Sequence, residues 1–263
     1  MNRIVTLTTD FGLKDPYVGA MKGAMLSAAP GMTIVDITHL VSPGNILEGA
    51  FILLEACRYF PRGTVHAGVV DPGVGGERKP ILVETEDYLF VGPDNGMLSL
   101  VARTLGMKRA IELTEKRFFL PEVSSTFHGR DIFGPVAAHL ATGAAPDAFG
   151  RELGRIRALD IPRPAAEEDG VSGEVIYVDS FGNLITNIRK EEIDLLGGVA
   201  GCEVFINGTA LRGVRKTYGM AATGAALALM GSSGYLEVAV NSGSATSALK
   251  AGVGEKVKVR PIR

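Results

Sequence analysis

The feature that most constrains how this chain folds is a switch of periodicity at Ile161-Pro162-Arg163-Pro164-Ala165-Ala166-Glu167-Glu168-Asp169-Gly170, where prolines and a run of acids interrupt the pattern. Before it, β-branched stretches alternate with helical spacing. Ile4, Val5 and Leu7 form a strand pattern over Arg3 to Thr9 that ends in Asp10-Phe11-Gly12, since branched side chains suit a pleated surface. Asp15-Pro16 opens a helix with Val18, Met21 and Met25 at apolar positions, proline being tolerated at a helix start. Thr33 to Ile37 is a second strand. Asn45 and Glu48 make a capping pair ahead of Leu47, Ala50, Phe51 and Leu54, which share one helical face. Thr64 to Val70 is a third strand and delivers Asp71 at its C-terminal end. A hairpin is predicted over Pro80 to Thr85 and Tyr88 to Val91 across Glu86-Asp87, with helices over 94–100 and 131–141.

Strands alternating with helices predict an α/β layered domain over residues 1–160. After the interruption the helical period fades. Gly173 to Asp179, Glu203 to Gly208, Ala225 to Met230, Tyr235 to Val240 and Lys256 to Val259 are short strands spaced by turns, and Asn207-Gly208 is a strong hairpin signal. Residues 170–263 are therefore expected to form a small all-β barrel or sandwich. In α/β domains ligands collect outside the carboxyl ends of strands, and both Asp10 and Asp71 stand at such ends.

Composition excludes several classes. The formal net charge is −2, so no basic footprint argues for nucleic acid or an anionic membrane surface. The stretch from Thr217 to Leu236 is uncharged, but Gly219, Gly224, Gly231 and Gly234 with interspersed serine and threonine make it too polar and too broken for a lipid-facing helix. Met1-Asn2-Arg3-Ile4 runs straight into a strand pattern without a secretory apolar region, which makes a cytoplasmic location the expectation. Cys57 and Cys202 form no CxxC pattern and sit among apolar neighbours, as small buried hydrophobes do. The 34 glycines exceed the usual ~7% of residues and imply many tight turns.

Chemistry concentrates in Val70-Asp71-Pro72-Gly73-Val74-Gly75-Gly76-Glu77-Arg78 and in Phe127-His128-Gly129. Carboxylate, guanidinium and imidazole on loops are what a site needs to orient a small nucleophile such as water. A dinucleotide fingerprint requires glycine where Arg78 stands, and a P-loop requires Gly-Lys-Ser/Thr where Arg78-Lys79-Pro80 stands, so neither fits. Of the four histidines, His66 lies in a strand and His139 in a helix, both suited to structural roles. His39 follows a strand end, on the side where Asp10 and Asp71 emerge. No His or Cys spacing suggests zinc. In the second half, Asp179 to Ile188 sets Phe181 beside Asn183 at a bend, and Gly231 to Asn241 joins Ser232 and Ser233 to a strand. An aromatic face with paired donors and acceptors is how purine rings are held.

Read together, Thr8-Thr9-Asp10-Phe11-Gly12, Asp71-Pro72-Gly73-Val74-Gly75, Gly92-Pro93-Asp94-Asn95-Gly96, Thr126-Phe127-His128-Gly129-Arg130-Asp131, Phe181-Gly182-Asn183 with Thr186-Asn187-Ile188, and Gly234-Tyr235-Leu236 make the chain resemble the S-adenosyl-methionine (SAM) hydrolases. This family, also called SAM hydroxide adenosyltransferases, is related to fluorinating and chlorinating enzymes. The resemblance spans essentially the whole chain. It implies an α/β N-terminal layered domain followed by an all-β C-terminal barrel, assembled as a homotrimer with the active site between neighbouring subunits. It implies attack of water or hydroxide on ribose C5′, with adenosine and methionine as products. SAM is then the substrate, and neither a separate cofactor nor a metal is implied.

By the same resemblance, Asp71, Arg78 and His128 hold the nucleophile, and Asp10, with Phe11 beside it, takes the ribose. Asn183, Tyr218, Ser232, Ser233, Glu237 and Val240 fall where adenine and methionine are contacted. The expected division of labour has Asp71 aligning the water, Arg78 stabilising developing negative charge, and His128 serving as base or as orienter. The halogenating relatives carry an uncharged residue at the Asp71 position and tyrosine at the His128 position. A carboxylate repels an anionic halide at short range, so hydrolysis is favoured. Two alternatives stay open at this point: a non-catalytic adenosine or SAM sensor, and a halogenase-like adenosyltransferase.

Overall fold

The computed structural model describes residues 3–196, 198 and 201–262. The chain divides into two units, Met1–Asp160 and Ile161–Arg263.

In the first unit the chain runs β1 (Ile4–Thr9), α1 (Tyr17–Ala28), β2 (Thr33–Thr38), α2 (Ile46–Cys57), β3 (Val65–Val69), β4 (Pro80–Glu84), β5 (Leu89–Pro93), α3 (Ser99–Leu105), β6 (Arg109–Leu113), α4 (Gly134–Ala141) and β7 (Gly150–Leu153). Its seven strands form one mixed sheet in the order β2-β1-β3-β5-β4-β6-β7. The pairs β1/β2, β1/β3 and β3/β5 are parallel. The pairs β4/β5, β4/β6 and β6/β7 are antiparallel. Alternation along β1 sorts the sheet's faces. Val5 and Leu7 join Val65, Ala67, Met21, Met25, Phe133 and Val136 in one buried core, which places α1 and α4 on that face. Burying each large apolar side chain of this kind contributes about 1.5–3 kcal/mol.

The opposite face takes α2. The approach is so close that a Cβ on Gly49 would stand 2.9 Å from Val70, and one on Gly68 would stand 3.1 Å from Leu53. A side chain at either position would require Val70, Met97 or Leu53 to shift. The helix starts where the capping pair predicts, with Asn45 Oδ1 accepting the Glu48 N–H at 3.1 Å.

Several elements differ from the sequence reading. The helix expected over 94–100 begins only at Ser99. Asn95 Oδ1 accepts the Met97 N–H and Gly96 has φ +107°, so Asp94 to Leu98 is a turn. The helix expected from Asp131 opens instead as a π-helical turn, Gly129–Phe133, before α4. β6 and β7 have no counterpart in the sequence reading.

The second unit contains β8 (Ala165–Glu167), β9 (Gly170–Val178), β10 (Leu184–Arg189), α5 (Lys190–Asp194), β11 (Cys202–Ile206), β12 (Thr209–Arg212), β13 (Val214–Arg215), β14 (Ala226–Met230), β15 (Tyr235–Val240), α6 (Ala245–Leu249) and β16 (Lys256–Pro261). The strand order is β12-β11-β16-β9-β10-β15-β14-β13, with β8 paired to β9. β11 and β12 form the hairpin signalled by Asn207-Gly208. The two ends of the order, β12 and β13, are consecutive in the chain and joined by Gly213. Val175, Leu184, Ile188, Val204, Leu236 and Val257 pack in its core. The unit is not purely β, since α5 and α6 each add one short helix. Residues 184–188, read from sequence as part of a bend, pair instead with β9 and β15.

Candidate active site

Because β1 and β3 are parallel neighbours, the acids at their ends emerge on the same side of the sheet. Asp10 follows β1 directly. Its Oδ2 accepts the Gly44 N–H at 2.8 Å, and a Cβ on Gly44 would lie 3.8 Å from Pro72, so the loops carrying Asp10 and Asp71 meet there. Thr9 braces the turn from below, with its Oγ1 2.8 Å from His39 Nδ1 and accepting the Phe11 N–H at 3.2 Å. His39 is 2% exposed and its Nε2 lies 3.1 Å from Asp36 Oδ1. It supports the loop rather than facing solvent.

Asp71 lies two residues beyond β3, and Asn95 donates to the Val70 carbonyl at 2.8 Å, holding that end in place. Arg78 returns across the loop. Its Nε donates to Asp71 Oδ1 and Oδ2 at 3.1 and 2.9 Å, and its Nη2 also donates to Oδ2. The side chains are only 7% and 5% exposed. The same Nη2 donates to His128 Nδ1 at 2.7 Å. Arginine has no acceptor, so Nδ1 must accept and a neutral His128 carries its proton on Nε2. Phe133 lies beneath the guanidinium, 5.4 Å from its centre. Asp71, Arg78 and His128 thus converge, with Arg78 in the middle.

His128 is half-buried on the N-terminal side of the π-helical turn. Burial depresses its titration below the ordinary range and the Arg78 guanidinium acts in the same sense, while Asp71, Asp131 and a hydrogen bond to the Ser124 backbone oppose both. The neutral imidazole is the favoured form near neutrality. Gly75 shows why this loop is glycine-rich. It has φ +75°, and a Cβ there would stand 2.2 Å from the Ser125 carbonyl oxygen, so the two loops touch backbone to backbone.

Asp10 and Phe11 line a cleft of about 510 Å³ together with Tyr17, Ser124, Phe127 and Arg130. Phe11 and Tyr17 each set their rings edge-on to Phe127, at 5.4 Å.

In the second unit, Asn183, Tyr218 and Val240 line a separate cleft of about 370 Å³ with Phe181 and Ser242. Asp179 accepts the Asn183 N–H at 2.9 Å and its Nδ2 at 2.8 Å. That fixes the amide nitrogen towards the carboxylate and leaves Oδ1 as an acceptor. Tyr218 donates its hydroxyl to Glu237 Oε1 at 2.7 Å. Burial raises the Glu237 carboxyl above the ordinary range and the Asp179 charge adds to this, against the Tyr218 hydrogen bond. Burial and the Glu237 contact likewise raise the Tyr218 phenol. Ser232 and Ser233 sit on the turn closed by Gly234 N–H to the Gly231 carbonyl. They lie outside the residues lining that cleft, although Ser233 and Glu237 both flank Gly231.

Sequence reasoning passed over Asn95, Asp131, Asp179 and Gly44. Asn95 and Gly44 act through Val70 and Asp10, partners distant in the chain that no local spacing marks, whereas Asp131 and Asp179 bond to near neighbours, Asp179 accepting the Phe181 and Asn183 N–H groups of its own bend. Among the described residues, no group of three or more His, Cys, Asp and Glu is arranged to hold a metal ion. No described helix is long and apolar enough to cross a membrane. Cys57 and Cys202 are both buried, and burial pushes the Cys57 thiol up to about 11.

The fold and the loop constellation define a two-domain class that carries a carboxylate–guanidinium–imidazole cluster in its first domain. The chain matches the SAM hydroxide adenosyltransferase N-terminal domain over residues 5–150 and the C-terminal domain of the same family over residues 173–258. It belongs to the SAM hydroxide adenosyltransferase family. A Thermus thermophilus protein named (R)-S-adenosyl-L-methionine hydrolase is 40% identical over 98% of this chain and 99% of its own length. A Nocardia brasiliensis fluorinase is 31% identical over 97% of both chains. A crystal structure of an uncharacterized conserved protein from Thermotoga maritima superposes with a TM-score of 0.92 at 38% identity, covering 98% of this chain and 99% of that one.

Proposed function

We propose that this protein hydrolyses S-adenosyl-L-methionine to adenosine and L-methionine. The observation that carries the reading is the Asp71–Arg78–His128 cluster, in which one guanidinium is gripped from two sides by a carboxylate and an imidazole. Support comes from relatives at 38–40% identity named (R)-S-adenosyl-L-methionine hydrolase. Those names specify the R configuration at sulfur, and we extend that preference to this chain.

In the reaction an oxygen lone pair of water forms a bond to C5′ while the C5′–S bond breaks. Its electrons stay on sulfur, methionine leaves as a neutral thioether, and the water proton passes to solvent. No tetrahedral intermediate forms, so no oxyanion hole is needed. The requirement is an oxygen nucleophile in line with C5′–S at roughly 3–3.5 Å. Asp71 and His128 engage Nε and Nη2 of Arg78, which leaves the Nη1 donors to hold that oxygen and, as its proton departs to solvent, to stabilise the hydroxide-like negative charge with which it attacks. His128 Nδ1 is occupied as an acceptor, so the imidazole orients Arg78 instead of taking the proton. Asp71 fixes the same guanidinium and discourages halide. Asp10 accepts the ribose hydroxyls beside Phe11. Asn183, Tyr218, Ser232, Ser233, Glu237 and Val240 serve the adenine and methionine ends.

The finer assembly belongs to the same proposal: a layered α/β domain, a second domain closed as a barrel, and a homotrimer with its active site between neighbouring subunits, in the cytoplasm. The continuity of β12 and β13 through Gly213 supports the barrel, since the two ends of the sheet are tethered together.

The test is turnover of SAM in H₂¹⁸O. The 5′-hydroxyl of released adenosine should carry the label. Unlabelled adenosine, or no adenosine with substrate in excess, rejects the reading, and 5′-chloro-5′-deoxyadenosine formed in chloride would reassign the chain to halogenation.

A further inference from the structure

Asp131 is a fully buried carboxylate that the hydrolytic scheme above leaves without a task. Its Oδ2 accepts the Ser124 N–H at 2.8 Å, while Arg130 donates Nε to Oδ1 at 2.6 Å and Nη2 to Oδ2 at 3.1 Å. Its main chain is equally engaged. The Asp131 N–H donates to the Phe127 carbonyl at 3.2 Å, and its carbonyl accepts the Leu120 N–H at 2.9 Å. One residue therefore ties down Leu120, Ser124 and Phe127, the start, middle and end of the segment that leads into His128.

That segment touches both His128 and the reacting loop. The Ser124 backbone hydrogen-bonds to His128. The Ser125 carbonyl lies where a Cβ on Gly75 would be 2.2 Å away, so the loop bearing Asp71 and Arg78 rests against it. On the other side, the Arg130 guanidinium lies 5.0 Å over the Phe127 ring and lines the cleft that contains Asp10 and Phe11.

We infer that Asp131, braced by Arg130, is a positioning residue that sets the His128 ring against Arg78. The inference rests on the reading of Asp71, Arg78 and His128 as the hydrolytic centre. An uncharged acceptor would hold the Ser124 amide without the cost of burying a carboxylate. The charge has a further consequence. The charged groups facing His128 are Arg78 and Asp71 from one loop and Asp131, with its partner Arg130, from the π-helical turn. Asp131 draws His128 towards its protonated form while Arg78 pushes the other way, so the pair tunes the pH at which His128 stops accepting from Arg78.

The experiment compares full-length wild type, Asp131→Asn and Arg130→Gln by two readouts: the His128 ring titration followed by NMR, and the pH profile of kcat/KM with SAM. Removing the carboxylate charge should move the His128 midpoint to lower pH. Leaving Asp131 without its arginine should move it to higher pH. In Asp131→Asn, kcat should fall on the order of 10–100-fold with KM little changed, as for outer-shell partners elsewhere. A merely structural Asp131 lowers the folded fraction and leaves the midpoint in place.

Unmoved midpoints in the folded variants, or shifts in one common direction, overturn the inference. Should Asp131→Asn fail to fold, the Arg130→Gln midpoint decides alone: an upward shift supports the assignment and an unmoved one rejects it. Wild-type protein that releases no adenosine sinks the hydrolase reading, while the NMR titration still judges the link between Asp131 and His128.

Discussion

Lowering the pH should destabilise this protein through His66. The residue is fully buried in β3, stacked on Phe90 at 5.1 Å, with Phe60 and Tyr88 edge-on to it. Its Nδ1 lies 2.7 Å from Thr6 Oγ1, and its Nε2 has no hydrogen-bond partner among the described residues. Thr6 and His66 face each other across β1 and β3, the strands whose ends present Asp10 and Asp71. Burial pushes the imidazole down to about 3 from an ordinary 6.5. A protonated ring would bury a charge with one donor unsatisfied.

Proton uptake by the unfolded chain sets the sign. Above pH 6.5 neither state binds a proton at His66, and its full contribution to stability is present. As pH falls below 6.5 the unfolded chain takes up a proton that the folded chain refuses until about pH 3, so stability drains away across that window. At about 1.4 kcal/mol per pH unit, the loss is about 2 kcal/mol at pH 5 relative to pH 8, and roughly 5 kcal/mol across the window. That compares with a typical domain stability of about 5–15 kcal/mol.

The assay is denaturant unfolding of wild type and His66→Phe at several pH values from 8 to 5. The aromatic replacement keeps the ring packing and removes the titrating group. Other acid-sensitive groups, such as Asp36 with its depressed carboxyl, act equally in both proteins. The wild type should therefore lose about 2 kcal/mol more than the variant between pH 8 and pH 5. Parallel pH dependences would show that His66 does not carry the acid sensitivity.

The remaining predictions concern the site. Asp71→Ala and His128→Ala should each lower SAM hydrolysis on the order of 10²–10⁴-fold while adenosine still binds by calorimetry; near-wild-type turnover in both would remove them from the centre. Arg78→Lys should fare no better, because a single ammonium cannot reproduce a fork that contacts Asp71 and His128 together. Asp10→Ala should weaken adenosine binding by about 1.5–3 kcal/mol, the value of hydrogen bonds to a charged group, read as a rise in Kd. The kcat/KM profile should fall on the acid side with a midpoint below the ordinary histidine range, because burial and Arg78 favour neutral His128. A midpoint above pH 6.5 would contradict that assignment.

What could be read from the chain in advance was what neighbouring residues decide among themselves. The β-branched runs of β1 and β15, the Asn45 cap of α2 and the Asn207-Gly208 hairpin each express short-range sterics or hydrogen bonding. Asp71, Arg78 and His128 stood out because polar groups cluster in glycine-rich loops at strand ends. Other features escaped because their cause is distant. β10 holds Thr186 and Asn187, polar residues that read as a turn until Leu236 and Pro162 supply partners for them. The π-helical turn carries no signature beyond that of a helix start. It is held by Asp131, whose bonds to Ser124 and Arg130 become visible only when the loop closes over it.

The order of residues thus carries the strand-and-helix grammar, the change of periodicity near residue 161 and the chemical types of the site. It does not say that Arg78 stands between Asp71 and His128, or which nitrogen of His128 accepts; folding settles both. The difference is one of range. Local pattern reflects sterics between residues a few positions apart, whereas a guanidinium shared by partners 7 and 50 positions away is set by how two loops pack.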